Sequence, residues 1–371
     1  MGYHAPVMQN AQLIPRCLKG RSAVMLLAAL PLLHGCKKET PPTRIQWPVM
    51  GTVAAVQCVD ARAAPQARDT VQAAFSHIDA SLSTWRADSE IALVNRIAGN
   101  GTPVPVTDNV VTVLRAAFDL CAKSGGAFNP LIGPVMKAWG FNGAAARPAP
   151  PDAETLLAAA ALTDWYQIDI NVESLPCTIR LLKPGMALDL GAIAKGYAVD
   201  KAWDALKVAG HTNTLVDLGG NLRALGEAAP GRGGWRTGIR NPFQQGTCLA
   251  LFLLSDGESV STSGNYERFV EIEGKRYAHI MDPQTAQPVT GMAGVTVVAP
   301  TATLADGLST ALFVLGTERG AALLKHYPGC EALWIPDTPG HLVIFATPGL
   351  AKRLTPSGNA KLDIRLIHER R

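Results

Sequence analysis

Residues 186–222 read MALDLGAIAKGYAVDKAWDALKVAGHTNTLVDLGGNL. Two short β-like runs, Met186–Leu190 and Thr214–Leu218, flank a segment whose apolar spacing predicts a helix over Ile193–Ala209. The same alternation continues around it. From Tyr166 onward short runs dominate: YQIDI, CTIRLL, WRTGIR, CLALFLL, SVST, YAHI, GVTVVA, EALWI and HLVIFA. Further helices are expected there at Leu304–Leu315 and Glu318–His326. Before Tyr166, a strand is expected at Val53–Val59 and a helix with Val71, Phe75, Ile78 and Leu82 on one face. A second helix, capped by Thr107 or Asp108, stops at Gly125-Gly126, and a third starts at Asp152. GAAARPAPPDAE (143–154) reads as an exposed excursion. A meander of short strands with helices interposed predicts an α+β fold with a largely antiparallel β core and a smaller helical lobe toward the N-terminus. It argues against a doubly wound parallel sheet.

Within the opening stretch, DLGAIAKGYAVDKA (189–202) places a carboxylate, two glycines and a lysine before a helix. Glycine lets a backbone approach a ligand, and a helix N-terminus offers unpaired N–H groups to an anion. This turn is therefore a phosphate-site candidate. The alternative is purely structural: Gly191 and Gly196 shape the turn while Lys195 lies in solvent.

The 371 residues, 47% of them hydrophobic, suffice for a large core, and a net charge of +4 without a basic run argues against a nucleic-acid partner. At the N-terminus Arg16, Lys19 and Arg21 precede the apolar run Ala23–Leu33, which ends at His34-Gly35-Cys36. That run is too short to span a bilayer and suits a secretory signal. Gly35-Cys36 resembles a lipoprotein cleavage site, with His34 where a small residue is usual. The expected organisation is a signal peptide (1–35), a tether from a lipid-anchored Cys36 (36–45), one domain (46–355) and a C-terminal tail (356–371). Location on the periplasmic side of a bacterial membrane follows. The remaining cysteines, Cys58, Cys121, Cys177, Cys248 and Cys330, are widely spaced and odd in number, which suggests buried thiols with at most one disulfide.

Asp306 and Thr310 stand one helical turn apart, half of a site for a hard cation. Mg2+ binds through one or two such protein groups, with phosphates and water completing its shell. Alternatively Thr303 and Asp306 form a capping box. His279 lies at a strand end before the Pro-marked turn at Asp282; its unperturbed pKa suits proton transfer, and an imidazole satisfied by a neighbouring carbonyl is the alternative. GxSxG, HExxH, GxxxxGK[ST] and GxGxxG are absent.

Taken in order, MGT (50–52), IDASLSTWRADSEIALVN (78–95), SGGAFNPLIGPVMKAWGFN (124–142), DLGAIAKGYAVDKA, LVDLGGNL, STSGNYERF, HIMDPQTAQPV and ADGLSTALFVLG resemble the motifs of the ApbE family of FAD:protein FMN transferases. The resemblance spans nearly the whole exported region and implies an ApbE-like, T-fold-related architecture. It also implies an exported enzyme that binds FAD and Mg2+, cleaves the pyrophosphate, joins FMN phosphate to a threonine or serine hydroxyl of an acceptor flavoprotein, and releases AMP. By the same resemblance Met50, Gly126, Ala127, Phe128, Asp189, Lys195 and Ile280 contact FAD. Asp306, Thr310 and the Ala192 carbonyl hold the metal, and His279 helps deprotonate the acceptor. In this frame Lys195 meets a phosphate or the ribityl chain, and Asp189 a flavin or adenine edge.

The chain departs from the family at Asn129 (often Asp), Leu131 (usually Thr), Ala286 (commonly Gly) and Ser309 (Asp in some members, which would make this metal site less negative). Two alternatives share the motifs: an FAD pyrophosphatase releasing FMN and AMP, and a flavin-binding lipoprotein without chemistry.

Overall fold

Nine strands form the central sheet, and across it they keep the order of the chain. They are β1 (Thr43–Val49), β2 (Thr52–Cys58), β3 (Thr214–Leu218), β4 (Asn221–Leu225), β5 (Ser259–Gly264), β6 (Met292–Ala299), β7 (Glu331–Pro336), β8 (Val343–Ala346) and β9 (Asp363–Leu366). Every neighbouring pair is antiparallel except β8–β9. The helices are α1 (Ala64–Leu82), α2 (Glu90–Arg96), α3 (Asp108–Lys123), α4 (Gly133–Ala138), α5 (Ala153–Ala160), α6 (Ala194–Val208), α7 (Ala302–Leu324) and α8 (Pro348–Ala351). This computed structural model describes residues 41–141, 149–338, 340, 342–358 and 362–367. The α+β class with a mostly antiparallel sheet is as expected.

Alternation explains how the sheet is covered. Val295 and Val297 of β6 join the cluster built on α1, α6 and α7, whereas Val298 faces the side of a small sheet formed by residues 235–240, 248–254 and 355–356; a bulge between Met292 and Gly294 shifts the alternation and puts Ala293 on that second side. Both faces are dry, so β6 (MAGVTVVA) is buried at every position. On α1 the predicted stripe Val71, Phe75, Ile78 and Leu82 is buried, each side chain contributing roughly 1.5–3 kcal/mol relative to exposure. The smaller lobe packs Val135 and Trp139 of the α4 region and Leu156 of α5 against Ile272 and Met281. Those two residues belong to short hairpins, 269–278 and 281–288.

Several expectations change. Met186–Leu190 joins no ladder: the Asn95 side chain accepts from Leu188 N (2.7 Å) and donates to its carbonyl (2.9 Å), and Asp189 N donates to Pro130 O (2.8 Å). A side chain and a loop thus take the bonds that a neighbouring strand would. The two helices expected at Leu304–Leu315 and Glu318–His326, by contrast, both form: they run end to end within Ala302–Leu324 (α7), separated where Gly316 adopts a non-helical φ of 70° and ψ of −169°. The sheet also extends beyond the expected domain limits. Strand β1 begins at Thr43, within the expected tether, and β9 lies within the expected tail. All five cysteines of the described residues are free thiols, so none forms the suggested disulfide. The signal segment, Cys36 and residues 142–148 of the Ala/Pro-rich excursion lie outside the described residues.

Candidate functional site

The turn before α6 is held by its own side chains. Asp189 Oδ1 accepts from Gly191 N (2.9 Å), while Ile193 N and Ala194 N both donate to Leu190 O (3.0 and 2.8 Å). Gly196 is the third residue of α6, where a helical N–H has no acceptor within its own helix. It donates across the helix pair to Asp306 Oδ2 (2.9 Å), and the Ala192 carbonyl precedes the N-cap Ile193, outside the helical ladder. Glycine is required at 196 because a Cβ there would sit 2.1 Å from Ala302 O and 2.7 Å from Asp306 Cβ.

Asp306 is no capping-box residue. The N-cap of α7 is Thr301, whose hydroxyl accepts from Leu304 N (3.3 Å). The first turn is completed from α6 by Asp200, which accepts from Ala302 N (2.8 Å), Thr303 N (2.9 Å) and the Thr303 hydroxyl (2.5 Å), and pairs with Arg223 (2.7 Å). The Asp306 side chain is buried at 4% exposure and turned toward α6 and β5. Lys195 Nζ lies 3.6 Å from Asp306 Oδ1 and donates to Gly191 O (3.1 Å), so the lysine is not a solvent residue. Thr310, one turn on, meets the hydroxyl of Ser263 at 3.2 Å.

His279 follows the hairpin 269–278. Its N–H and its Nδ1 both lie 3.1 Å from the carbonyl of Arg268. A carbonyl only accepts, so Nδ1 carries the ring proton and Nε2 keeps a lone pair. Dehydration, with Arg268 and Lys195 adding positive charge, pushes its pKa down to about 4. The imidazole is neutral at physiological pH. Glu267, in the same segment, is reached by solvent but hemmed in by protein. Dehydration, opposed by Lys195 and Arg240 and reinforced by Asp306, pushes its carboxyl up to about 7. Arg268 also stacks its guanidinium 5.6 Å from the ring centre of Trp85, whose side chain is 60% exposed.

Further contacts tie the remaining segments together. Gln284 Nε2 donates to Gly125 O (3.0 Å), joining the 281–288 turn to the Gly126-Ala127-Phe128 stretch, and Asp189 N joins the residue-130 loop to α6. Ala127, Phe128 and Ile280 are buried at 3–4% exposure. Met50 takes a left-handed φ of 49° in the β1–β2 turn. There Thr52 abuts Gly219 of the β3–β4 turn. No hydrogen bond or ion pair among the described residues ties Met50 to Asp306, Lys195 or His279. A surface cavity of about 660 Å³ lined by residues such as Val106, Asn109 and Pro176 shares no residue with this cluster.

The donor set fits Mg2+ rather than a softer metal: one carboxylate, the Thr310 hydroxyl, a backbone carbonyl and nearby serines are all hard oxygens. No group of three His, Cys, Asp or Glu able to hold a metal occurs among the described residues. A single carboxylate calls for anionic oxygens from a substrate to complete the shell. Of the serines near Asp306 the sequence points to Ser309 alone; Trp85, Ser261, Ser263 and Glu267 stand inside quoted motifs, but only the folded chain shows what they face.

Known proteins resemble the chain in sequence and in fold. A sequence model described as the ApbE family matches residues 50–334. The FAD:protein FMN transferase of Treponema pallidum (strain Nichols) is 39% identical over 339 residues, covering 87% of this chain and 90% of that protein. One from Klebsiella pneumoniae (strain 342) is 34% identical over 81% of this chain and 88% of its own. Among solved structures, the flavin transferase ApbE from Vibrio cholerae superposes with a TM-score of 0.73 at 28% identity, over 84% of this chain and all of that one. The apo form of Pseudomonas stutzeri flavinyl transferase ApbE gives 0.72 at 33%, over 84% and 96%.

Proposed function

The chain belongs to the ApbE family and is an FAD:protein FMN transferase; we propose that it uses Mg2+ and joins the FMN phosphate to a threonine or serine hydroxyl of its acceptor, releasing AMP. The observation that carries this reading is the meeting of Asp306, Thr310, Lys195 and the Ala192 turn at one end of α6 and α7. Asp306, Thr310 and the Ala192 carbonyl would hold Mg2+, which when bound neutralises charge on the pyrophosphate. The ammonium of Lys195 pairs with a phosphate of FAD. Gly126, Ala127, Phe128 and Ile280, with Met50 and Asp189, line the rest of the FAD site.

The step is a substitution at phosphorus. The acceptor oxygen forms a bond to the FMN phosphorus as the bridge to the AMP phosphate breaks, and AMP leaves with the bridging oxygen. His279 Nε2, held by the Nδ1–H bond to Arg268, takes the proton of the hydroxyl. A base already neutral needs no prior deprotonation.

The test is to incubate the purified chain with FAD, Mg2+ and a candidate acceptor flavoprotein bearing the target threonine, following protein-bound flavin and AMP. Equal amounts of both support transfer. AMP with free FMN and no labelled protein would mean a pyrophosphatase, and intact bound FAD a binding protein. We also propose export and lipidation at Cys36, which places the enzyme on the periplasmic face. Radiolabelled palmitate should enter the wild-type chain but not Cys36→Ala, and equal labelling of both would refute it.

A further inference from the structure

Behind Asp306 and Thr310 lies a ladder of buried hydroxyls. Ser261 and Ser263 alternate onto the same face of β5, toward α7. They are 1% and 8% exposed, and Ser309 of α7 is fully buried. Ser263 Oγ stands 2.8 Å from Ser309 Oγ and 3.2 Å from Thr310 Oγ1, and Ser309 Oγ donates to the Asp306 carbonyl at 2.8 Å.

The last bond fixes the direction of the others. A carbonyl can only accept, so the Ser309 proton is committed to it, and Ser309 oxygen must accept from Ser263. Ser263 has then used its one proton, so Thr310 must donate to Ser263. The Thr310 proton therefore points into the protein, and no hydroxyl in the ladder donates to its oxygen. Both Oγ1 lone pairs are left for the cation.

We propose that Ser263, itself oriented by Ser309, is a positioning residue that locks the Thr310 hydroxyl rotor with its lone pairs facing the metal. The proposal rests on Asp306 and Thr310 being cation ligands. Without Ser263 the threonine proton is free to rotate toward the cation or to bond back to the Asp306 carbonyl, as helical threonines do.

Titration of Mn2+ into the full chain with FAD and no acceptor, read from the EPR signal of the free ion, measures this directly. Groups that orient a metal ligand are typically worth about 10–100-fold in affinity, so Ser263→Ala should weaken Mn2+ binding about 10-fold or more. In a Thr310→Val background the same change should have no further effect, since the residue it acts through is gone. Ser309→Ala, a second probe should Ser263→Ala fold poorly, should weaken binding and also lose its effect beside Thr310→Val. Unchanged Mn2+ affinity in folded Ser263→Ala, or an equal loss with Thr310→Val present, overturns the proposal. Equal binding by wild type and Asp306→Ala overturns it differently, because the metal reading itself then fails.

Discussion

Gly196→Ala is the substitution by which the α6–α7 crossing can be tested most directly. Two effects oppose each other. Alanine favours a helix by about 1 kcal/mol over glycine. The added methyl, however, would stand 2.1 Å from Ala302 O and 2.7 Å from Asp306 Cβ, backbone and near-backbone atoms that cannot rotate away. Restoring an ordinary carbon–oxygen contact requires the helices to separate by about 1 Å, and overpacking of this kind costs about 1–3 kcal/mol or more. With contacts this short the cost lies at the upper end, and the net effect is a loss of stability of about 2 kcal/mol or more, a fall of at least a few degrees in Tm. Activity should suffer more. The same separation moves Asp306 from Gly196 N and from the Ala192 turn, and a misplacement of about 1 Å at a reacting site can cost about 100-fold in rate. Flavin transfer to an acceptor, measured beside the melting curve, checks both. Gly191→Ala is the control for the melting curve: its Cβ would touch only Asp189 Oδ1, at 3.0 Å, a side-chain end able to give way. Wild-type transfer and Tm in Gly196→Ala would refute the inferred geometry, because the helices would then tolerate the separation.

Asp306→Asn should keep an acceptor for Gly196 N–H, and so the Tm, while losing Mn2+ binding and transfer; Asp306→Ala should in addition lower the Tm, since a buried N–H left unpaired costs about 1–3 kcal/mol. Retained metal-dependent turnover in Asp306→Asn would sink the ligand assignment. The His279 ring should titrate near its lowered value of about 4, far below 6.5, in a proton NMR titration. Below 6.5 the unfolded chain binds a proton that the folded chain does not, so this group's contribution to stability is present above 6.5 and is lost as pH falls through about 4; a midpoint at 6.5 or higher would contradict the environment described. Ala286→Gly should hold or raise the Tm. Residue 286 has φ 54° with its carbonyl fixed by Trp139 Nε1 at 2.8 Å, a conformation that costs alanine about 1–2 kcal/mol and glycine little. A clear drop in Tm would mean the methyl's packing outweighs that strain.

The Ala286 case shows what kind of information each level carries. A departure from a glycine is visible in the sequence, but its meaning appears only once φ is known. Strands with alternating or continuous apolar runs were legible because their pattern reflects coverage of one or both sheet faces. Met186–Leu190 has the same pattern, yet its partners are Asn95 and Pro130, distant in sequence and not strands, so no local rule identifies it. The break at Gly316 was legible as a gap between two helical patterns, and the non-helical φ and ψ of Gly316 separate two helices there.

The site divides in the same way. Oxygen ligands one helical turn apart, and a histidine before a turn, are spacing signals that survive in one dimension. What makes them a site is contact between elements more than a hundred residues apart: Gly196 N–H on Asp306 Oδ2. The capping-box reading of Thr303 and Asp306 fails because the N-cap is Thr301, which puts Asp306 at the fifth helical position. A carboxylate at the third position of a helix caps its own N-terminus when nothing better competes. Here Asp200 supplies α7 with its acceptors, and Arg223 holds Asp200 in place. Asp306, one turn further in, meets α6 and β5 instead. The two carboxylates have exchanged roles: the one on α6 caps α7, and the one on α7 receives the N–H of α6. Each needs the other helix at this distance, which is why the glycine at 196 belongs to the chemistry as much as to the packing.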